Sequence, residues 1–532
     1  MKRVHLRQVI LVFFLICAGC VKVGPDFTPP KTSVAKDWQD AGDRQVSTAS
    51  SEHRDWWKAF KDPALDRLID TAYRENLNLR IAGVRVLEAR AQLGVAVGEL
   101  FPQTQQAYGY LDKYRYSTHS PQAAFNNNLK WFQSEVGVTA SWELDFWGKF
   151  RRAIEAADAS LIAAVADYDA TLVSLTGDVA SSYIQIRTLE KRLEIARESV
   201  ATQTEVLKVA EAKFRGGTTT QRDVEQAKTL LANTEASIPA LEIQLRQAQN
   251  ALCVLLGMPP NQLTDFLTGK GAVIPAPPPQ VAVGIPADLL RRRPDIRSAE
   301  AQAAAQCANI GVAKAELFPA FSLIGTFGFQ SSDVARFALG QMFRWDSRSA
   351  QAGPSFTWNL FNYGRLTNQV RVEDARFQQL LIGYQNAVLK AQQEVEDSLT
   401  AFLRSQVRAR FLGDSTAAAR RSFDLSVLQY RGGTVDFTTV LTAQQALLNE
   451  QDSLAVTLGD ISRNLVGLYK ALGGGWQLRE GKDFIPESVK AEMAKRTNWG
   501  SLLAPAQYAL SEPGKNQGEK GAKAPASSPK QD

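Results

Sequence analysis

The stretch Phe214-Arg215-Gly216-Gly217-Thr218 decides the fold of this chain of 532 residues, because it occurs twice. It returns 216 residues later as Tyr430-Arg431-Gly432-Gly433-Thr434. The same offset carries Trp142-Glu143-Leu144 onto Trp358-Asn359-Leu360, and a one-residue slip carries Glu99-Leu100-Phe101-Pro102 onto Glu316-Leu317-Phe318-Pro319. No solenoid repeat has a period this long, so the sequence predicts two copies of one unit of roughly 200 residues.

Long helices are predicted on both sides of each Gly-Gly pair. The segments 149–214 and 365–430 contain no proline, and each can form about 100 Å of helix at ~1.5 Å per residue. Each helix should reverse at its glycines, since a tight reversal needs positive φ, and return as 219–256 and 435–472. The expected result is two antiparallel coiled-coil hairpins. Apolar residues spaced as in a coiled-coil seam are Leu161, Val165, Tyr168, Leu172, Leu175 and Val179.

Four strands are predicted from alternating polarity, two in each copy, at about 103–116, 134–146, 320–330 and 353–361. In the second strand Val136, Val138 and Trp142 alternate with polar residues such as Glu135, and in the first strand the tyrosines fall on one face. Four strands cannot close a barrel, and open edges in lipid would leave costly unpaired backbone groups. Three chains together would supply about 12 strands, enough for a water-filled lumen.

The amino terminus reads as an export signal over 1–19, with a basic start and a short apolar core. Cys20 follows directly and is the expected site of lipidation, since several acyl chains give a stable membrane anchor. After the signal no apolar stretch is expected to reach the ~20 residues that span a bilayer as helix.

The predicted domain plan follows from the repeat and from proline-rich segments. An extended leader covers 20–62, and a helix begins after Asp62-Pro63 and runs to about Gly98. The first copy covers 63–274 with its hairpin tip at 215–218, and a proline-rich linker covers 275–285. The second copy covers 286–478 with its tip at 431–434, and the C-terminal segment 479–532 ends in a disordered tail.

Composition argues against an enzyme and against a nucleic-acid-binding protein. The net charge of +6 is small for this length, and only His5, His53 and His119 are present. There is no phosphate-binding Gly-Lys loop and no nucleophile elbow. The spacing of the cysteines matches no zinc site. No catalytic residues, metal or cofactor are therefore expected.

Further motifs carry a resemblance to a known family. The chain resembles the TolC-like outer membrane factors, in particular the lipid-anchored branch that works with resistance-nodulation-division pumps. The matching residues are Cys20 with Val23-Gly24-Pro25-Asp26, Trp56-Trp57 with Asp62-Pro63, the run 290–300 with its Arg293-Pro294-Asp295, Ile310-Gly311 to Phe318-Pro319, and the two Arg-Gly-Gly-Thr turns.

The resemblance implies a homotrimer with a 12-stranded barrel in the outer membrane and a 12-helix tunnel in the periplasm. Such proteins are passive, gated exit ducts for drugs or other small molecules. They receive substrates from an inner membrane transporter through a periplasmic membrane fusion adaptor.

The resemblance also places candidate functional residues at the hairpin tips. Asp223 matches the family's gate acid and Tyr430 its gate aromatic, whereas the family's base falls on Val435. Arg431 and Asp436 are candidates for a substitute pair, and the positions of inner acidic rings fall on Thr439 and Thr442. The expected adaptor-docking residues are Arg215, Gly216, Gly217, Thr218, Gly432, Gly433 and Thr434.

Two non-enzymatic alternatives stay open at this point. A constitutive outer membrane diffusion channel would spend its length on many strands, whereas this sequence has about four. A periplasmic coiled-coil adaptor has one helical hairpin nested inside small β domains, whereas the strands here lie outside the hairpins, twice.

Overall fold

The computed structural model describes residues 22–49, 53–124, 129–267, 273–278, 280–334 and 339–504. The predicted export signal, the lipidation site Cys20 and the predicted disordered end of the tail lie outside these residues. The longer helices are α1 (Pro63–Glu75), α2 (Leu77–Gly98), α3 (Lys149–Arg215), α4 (Gln221–Leu255), α5 (Pro294–Ala315), α6 (Arg365–Gly432), α7 (Phe437–Ala471) and α8 (Glu487–Arg496). The strands are β1 (Val46–Ser47), β2 (Thr104–Arg115), β3 (Lys130–Leu144), β4 (Val281–Ala282), β5 (Ala320–Ser332) and β6 (Arg348–Thr357).

The single helix predicted from Asp62-Pro63 to Gly98 is two helices, α1 and α2, separated at Asn76, so that prediction was wrong. Asn76 leaves the helical region with ψ of 125° and ends α1. Its side-chain oxygen then accepts a hydrogen bond from the Leu79 amide at 2.8 Å and caps α2. Asparagine competes well for backbone amides at a helix start, which explains the break.

In each hairpin the outgoing helix is longer than the returning helix. The outgoing helices α3 and α6 have 67 and 68 residues, whereas the returning helices α4 and α7 have 35 each. A return helix of this length covers only about half of its partner. In the first hairpin α4 meets α3 at the level of Leu193 and Leu241.

The apolar seam predicted on α3 is buried, but it is not the seam of the hairpin. All six of its residues lie in the main hydrophobic cluster, where α1, α2, α5 and α7 pack against α3. These six residues precede the part of α3 that faces α4. The heptad spacing therefore reflects burial of this part of α3 by neighbouring helices rather than contact with the returning helix α4.

One helix among the described residues, α3, is long and apolar enough to cross a membrane, and 56% of its most apolar window is buried within the chain. This corrects the expectation that no apolar stretch after the signal reaches that length. Since α2 and α5 pack along α3, we interpret the window as a core helix.

Strands β2, β3, β5 and β6 form one antiparallel sheet in that order, so β2 and β6 are its edges. Residues directly opposite each other in such a sheet share a face. Val136 pairs with Phe329 and Val138 with Phe327, which makes one face apolar. Glu135 pairs with Tyr110 and with Gln330, which makes the other face polar.

The register decides which face the tyrosines of β2 occupy. They lie on the polar face with Glu135, and the hydroxyl of Tyr108 donates to the Glu135 Oε1 at 2.6 Å. The structure corrects the bounds of the last strand, which runs from Arg348 to Thr357 rather than from about 353 to 361. There the Trp358 indole donates to the Leu317 carbonyl at 3.1 Å, as the Trp142 indole does to Leu100 in the first copy.

The leader and the C-terminal segment hold the two copies together. Strand β1 of the leader pairs in parallel with β4, which lies in the proline-rich linker. Beyond α7 the chain folds back, and Ile485 and Met493 pack on Leu87 of α2. Asp169 of α3 is fully buried and accepts two hydrogen bonds from Arg479, with Arg297 of α5 at 3.7 Å from the same carboxylate.

Candidate functional site at the hairpin tips

The two hairpin turns have the same geometry, as their shared sequence predicts. Gly217 has φ of +69° and Gly433 has φ of +76°, whereas Gly216 has φ of −80° and Gly432 still belongs to α6. Only the second glycine of each pair therefore has a positive φ that favours glycine. This corrects the prediction that both glycines of each pair are needed for a positive φ. In each turn the following threonine amide bonds back to a carbonyl five residues earlier, Thr218 to Lys213 at 2.9 Å and Thr434 to Gln429 at 3.0 Å.

A hydrophobic cluster joins the tips of the two hairpins. It is separate from the main core and takes side chains from all four long helices. The contributing buried residues are Val206 and Ala210 of α3, Val224 and Ala227 of α4, Phe423 and Tyr430 of α6, and Phe437, Val440 and Leu447 of α7. The tips of one chain therefore form a small four-helix unit.

Asp223 and Tyr430, the predicted acid and aromatic of the gate, meet in this unit although they come from different hairpins. Both side chains are buried. The Asp223 carboxylate accepts a hydrogen bond from the Thr219 hydroxyl, and the Tyr430 hydroxyl lies close to both groups without a hydrogen bond of good geometry. Burial, with the Asp223 carboxylate adding to it, raises the pKa of Tyr430 above its usual value, so the phenol stays neutral.

A cation lies beside Tyr430 even though the family's basic position is Val435. The Lys213 ammonium is 4.8 Å from the centroid of the Tyr430 ring, within range of a cation–π interaction. The ring of Phe437 meets that of Tyr430 edge-on at 5.4 Å between centroids. Sequence reasoning missed Lys213, Thr219 and Phe437. Their closeness to the turns was a usable signal, since each lies within five residues of a turn glycine.

The other predicted gate residues are not drawn into the cluster. Arg431, Asp436, Thr439 and Thr442 are exposed, and Val435 is partly buried against the cluster. Asp436 stands at the start of α7 without capping it through its side chain. Within one chain, the structure thus brings together the acid and the aromatic but leaves the substitute pair unassembled.

The residues expected to dock an adaptor form an exposed rim. Arg215, Gly216, Gly217 and Thr218 of the first tip are exposed, and so are Gly432, Gly433 and Thr434 of the second. In the part of the chain that the structure describes, no group of three or more His, Cys, Asp or Glu residues could hold a metal ion.

The sheet at the opposite end of the long helices carries a second polar feature. Glu135 accepts hydrogen bonds from the hydroxyls of Tyr108 and Tyr110, which orient its carboxylate on the polar face. Glu143, further along β3, lies 3.4 Å from the Lys149 ammonium, which also contacts Glu316 at 2.7 Å. The polar face is therefore acidic at Glu135 and charge-compensated at its helical end.

Paired long hairpins with glycine turns, attached to a sheet that has one apolar and one polar face, define a class of channel with a helical extension. The chain belongs to the outer membrane efflux protein family, whose model matches residues 68–258 and 285–474. It is an outer membrane efflux channel.

Individual relatives agree with this assignment. The chain is 34% identical over 460 residues to the pyoverdine export outer membrane protein OpmQ of Pseudomonas putida, a match that covers 85% of this chain and 94% of OpmQ. It is 29% identical to the probable outer membrane lipoprotein SilC of Salmonella typhimurium, over 90% of this chain and 100% of SilC. The solved structure of the outer-membrane channel OprN matches with a TM-score of 0.79 and 32% identity, over 86% of this chain and 100% of OprN.

Proposed function

We propose that this protein is the exit duct of a tripartite efflux system: a homotrimer that pools its strands into a 12-stranded barrel and its helices into a 12-helix periplasmic tunnel. The single observation that carries this is the four-stranded sheet with two open edges. Edge strands β2 and β6 have 12 and 10 residues, and in lipid each unpaired backbone group costs several kcal/mol. Pairing β2 of one copy with β6 of the next removes every edge.

The orientation of the sheet follows from its two faces. The apolar face with Val136, Val138, Phe327 and Phe329 faces lipid, and the polar face with Glu135 lines the lumen. Transport through such a duct is passive, because no nucleotide-binding motif is present in the sequence. The driving energy comes from an inner membrane transporter of the resistance-nodulation-division type. Cys20, acylated after removal of residues 1–19, adds an anchor to lipid.

The gate of the duct lies at the hairpin tips. Tyr430 and Phe437 join the two hairpins of one chain, and Asp223 with Thr219 supplies the polar contacts next to them. Lys213 takes the place of the base that the family carries at the position of Val435. Between neighbouring copies, exposed Arg431 and Asp436 are free to form the substitute pair that a single chain does not form.

The rim of exposed turn residues is the docking surface for the periplasmic adaptor. Arg215, Thr218, Arg431 and Thr434 project around the two glycine turns. Because the turn glycines have no side chain, a helical hairpin of the adaptor can approach the backbone of the turn closely.

The test is single-channel conductance of the purified protein in a planar bilayer, beside Asp223→Ala and the matched control Glu225→Ala. Glu225 lies on the same helix but is exposed and bonds only to its neighbours Lys228 and Gln221. We expect a small closed-state conductance that rises in Asp223→Ala and not in Glu225→Ala. A large open current that is equal in all three proteins would refute the gate, and the absence of any channel would favour a periplasmic adaptor.

A further inference from the structure

The charged residues of the four-stranded sheet are sorted by sign between its two faces. Its strands contain four basic residues and three acidic ones. The register places all four basic residues on the apolar face. Lys113 lies opposite Phe132, Arg115 lies opposite Lys130, and Arg348 lies opposite Phe329. The register places Asp112, Glu135 and Glu143 on the polar face, opposite Gln133, Tyr110 and Ser322.

The basic residues also lie at one end of the sheet. The helices α2 and α3 leave the sheet beside Thr104 and Leu144. Arg115 and Lys130 are the last pair of the β2–β3 ladder at the other end, and Lys113 lies one step closer. Arg348 is the first residue of β6 and belongs to the same distal half. We call Lys113, Arg115 and Lys130 the basic rim.

The basic rim begins where the apolar band ends. From Leu144 to Phe132 the apolar face spans about 40 Å along β3 at ~3.3 Å per residue. At the ~40° tilt of barrel strands this corresponds to about 30 Å of height, close to the ~25 Å apolar band of outer membrane barrels. The rim residues are exposed and therefore stand at the level of lipid headgroups rather than in hydrocarbon.

The local arrangement favours an anion at this place. Arg115 and Lys130 face each other directly across the ladder, so one phosphate can contact two cations there. Within the described strands no acidic residue lies on this face, but Asp333 follows β5 directly and continues its register opposite Phe132, and its Oδ1 accepts a hydrogen bond from the Phe132 amide at 2.6 Å. Three cations and one carboxylate at the rim leave an excess of positive charge. The Lys113 ammonium lies 5.1 Å from the centroid of the Phe132 ring, at the border between apolar and charged surface. An anion that also has an apolar body satisfies both parts of this surface.

We infer that the basic rim binds the phosphate groups of the glycolipid in the outer leaflet, that is, of lipopolysaccharide. The inference rests on the proposed function, because only a barrel with its helices in the periplasm points the rim outward. In that orientation the rim contacts the outer leaflet, whose main lipid bears phosphates next to its acyl chains. Phosphate oxygens accept hydrogen bonds from guanidinium and ammonium groups, and the acyl chains lie along the apolar band.

The experiment measures binding of deep-rough lipopolysaccharide to the purified full-length protein in neutral detergent. The test variant is Lys113→Gln, Arg115→Gln, Lys130→Gln, and the control Asp112→Asn changes a charge at the same level on the opposite face. A charge-preserving variant, Lys113→Arg, Arg115→Lys, Lys130→Arg, separates charge from side-chain shape. The same lipopolysaccharide after phosphatase treatment tests the phosphates, and phosphatidylglycerol nanodiscs test a different anionic lipid.

We expect the triple Gln variant to bind roughly 100-fold more weakly, at the usual contribution of a cation near an anionic lipid surface. The Asp112→Asn and charge-preserving variants should stay close to wild type, and dephosphorylated lipopolysaccharide should bind weakly to all. Equal binding by wild type and the triple Gln variant would overturn the inference, as would binding that ignores the phosphates or prefers phosphatidylglycerol. Planar-bilayer conductance keeps the two hypotheses apart: a channel without phosphate-dependent binding refutes only the rim, whereas absence of a channel in wild type refutes the proposed function.

Discussion

Asp169→Asn should be among the most destabilising single substitutions in this chain, although Asp169 lies far from the hairpin tips. The Asp169 carboxylate is fully buried and accepts hydrogen bonds from the Nε and Nη2 of Arg479, the latter at 2.9 Å. Arg297 lies 3.7 Å away from the same carboxylate. The three residues come from α3, α5 and the segment after α7, so this node ties the first copy to the second.

The magnitude follows from what the substitution leaves behind. An asparagine keeps the shape of Asp169 but removes its charge, so the buried guanidinium of Arg479 and that of Arg297 face each other without an anion. Breaking a buried ion pair in this way costs about 3–5 kcal/mol. The matched control is Asp178→Asn on the same helix, whose carboxylate lies 3.0 Å from the Lys470 ammonium with both side chains largely exposed. That pair should contribute about 0–1 kcal/mol.

The assay is urea unfolding of the detergent-solubilised protein, followed by helix circular dichroism and by tryptophan fluorescence. Trp476 is a useful reporter because the guanidinium groups of Arg297 and Arg479 lie 5.3 and 5.8 Å from its ring. In the double variant Asp169→Asn, Arg479→Gln, part of the lost stability should return, since one uncompensated cation is gone. An Asp169→Asn protein as stable as Asp178→Asn would refute the reasoning.

Three further predictions use other parts of the structure. Burial and the charge of Arg292 lower the pKa of His53 to about 4, so acidification from pH 6.5 to 4 should cost the wild type about 2.5 kcal/mol more than His53→Gln in urea unfolding, with only about 0.4 kcal/mol more lost below pH 4. Equal losses in the two proteins would contradict the burial of a neutral imidazole. The Tyr430 hydroxyl makes no good hydrogen bond, so Tyr430→Phe should keep the low closed-state conductance. Tyr430→Ala removes the ring from the tip cluster and should raise that conductance. A leaky Tyr430→Phe channel would assign the gate to the hydroxyl instead. Gly217→Ala should destabilise the first tip by about 1 kcal/mol because Gly217 has a positive φ, whereas Gly216→Ala should not. The measurement is the rate of limited proteolysis at the turn, and equal rates for the two variants would contradict the backbone angles assigned to these glycines.

The tip residues show how far the candidate site could be predicted. The duplicated Arg-Gly-Gly-Thr stretch locates both turns, and family matching selects Asp223 and Tyr430, which the structure places together. The same matching finds no basic residue at the family's gate position, which is Val435 here. Lys213 could not be selected in this way because its contact with Tyr430 joins two hairpins. Contacts between segments more than 200 residues apart leave no periodic trace in the sequence.

The strands show the same division. Alternation identifies the strand segments and sorts each strand into two faces, but it does not say which face of β2 matches which face of β3. Register decides that, and it places Tyr108 and Tyr110 beside Glu135. The basic rim follows from register in the same way, since shifting β2 by one residue would move Lys113 and Arg115 to the polar face.

The sequence by itself determined the duplication, the long helices, the turns and the presence of amphipathic strands, because these are local properties of backbone preference and periodic burial. Only the tertiary structure decided that the α3 seam lies in the main core with α1, α2, α5 and α7, that Asn76 divides the first helix, and that Asp169 binds arginines from two distant segments. The physical reason is that a buried residue shows its apolar or charged character in the sequence, whereas the partner that buries it is chosen by packing across the whole chain.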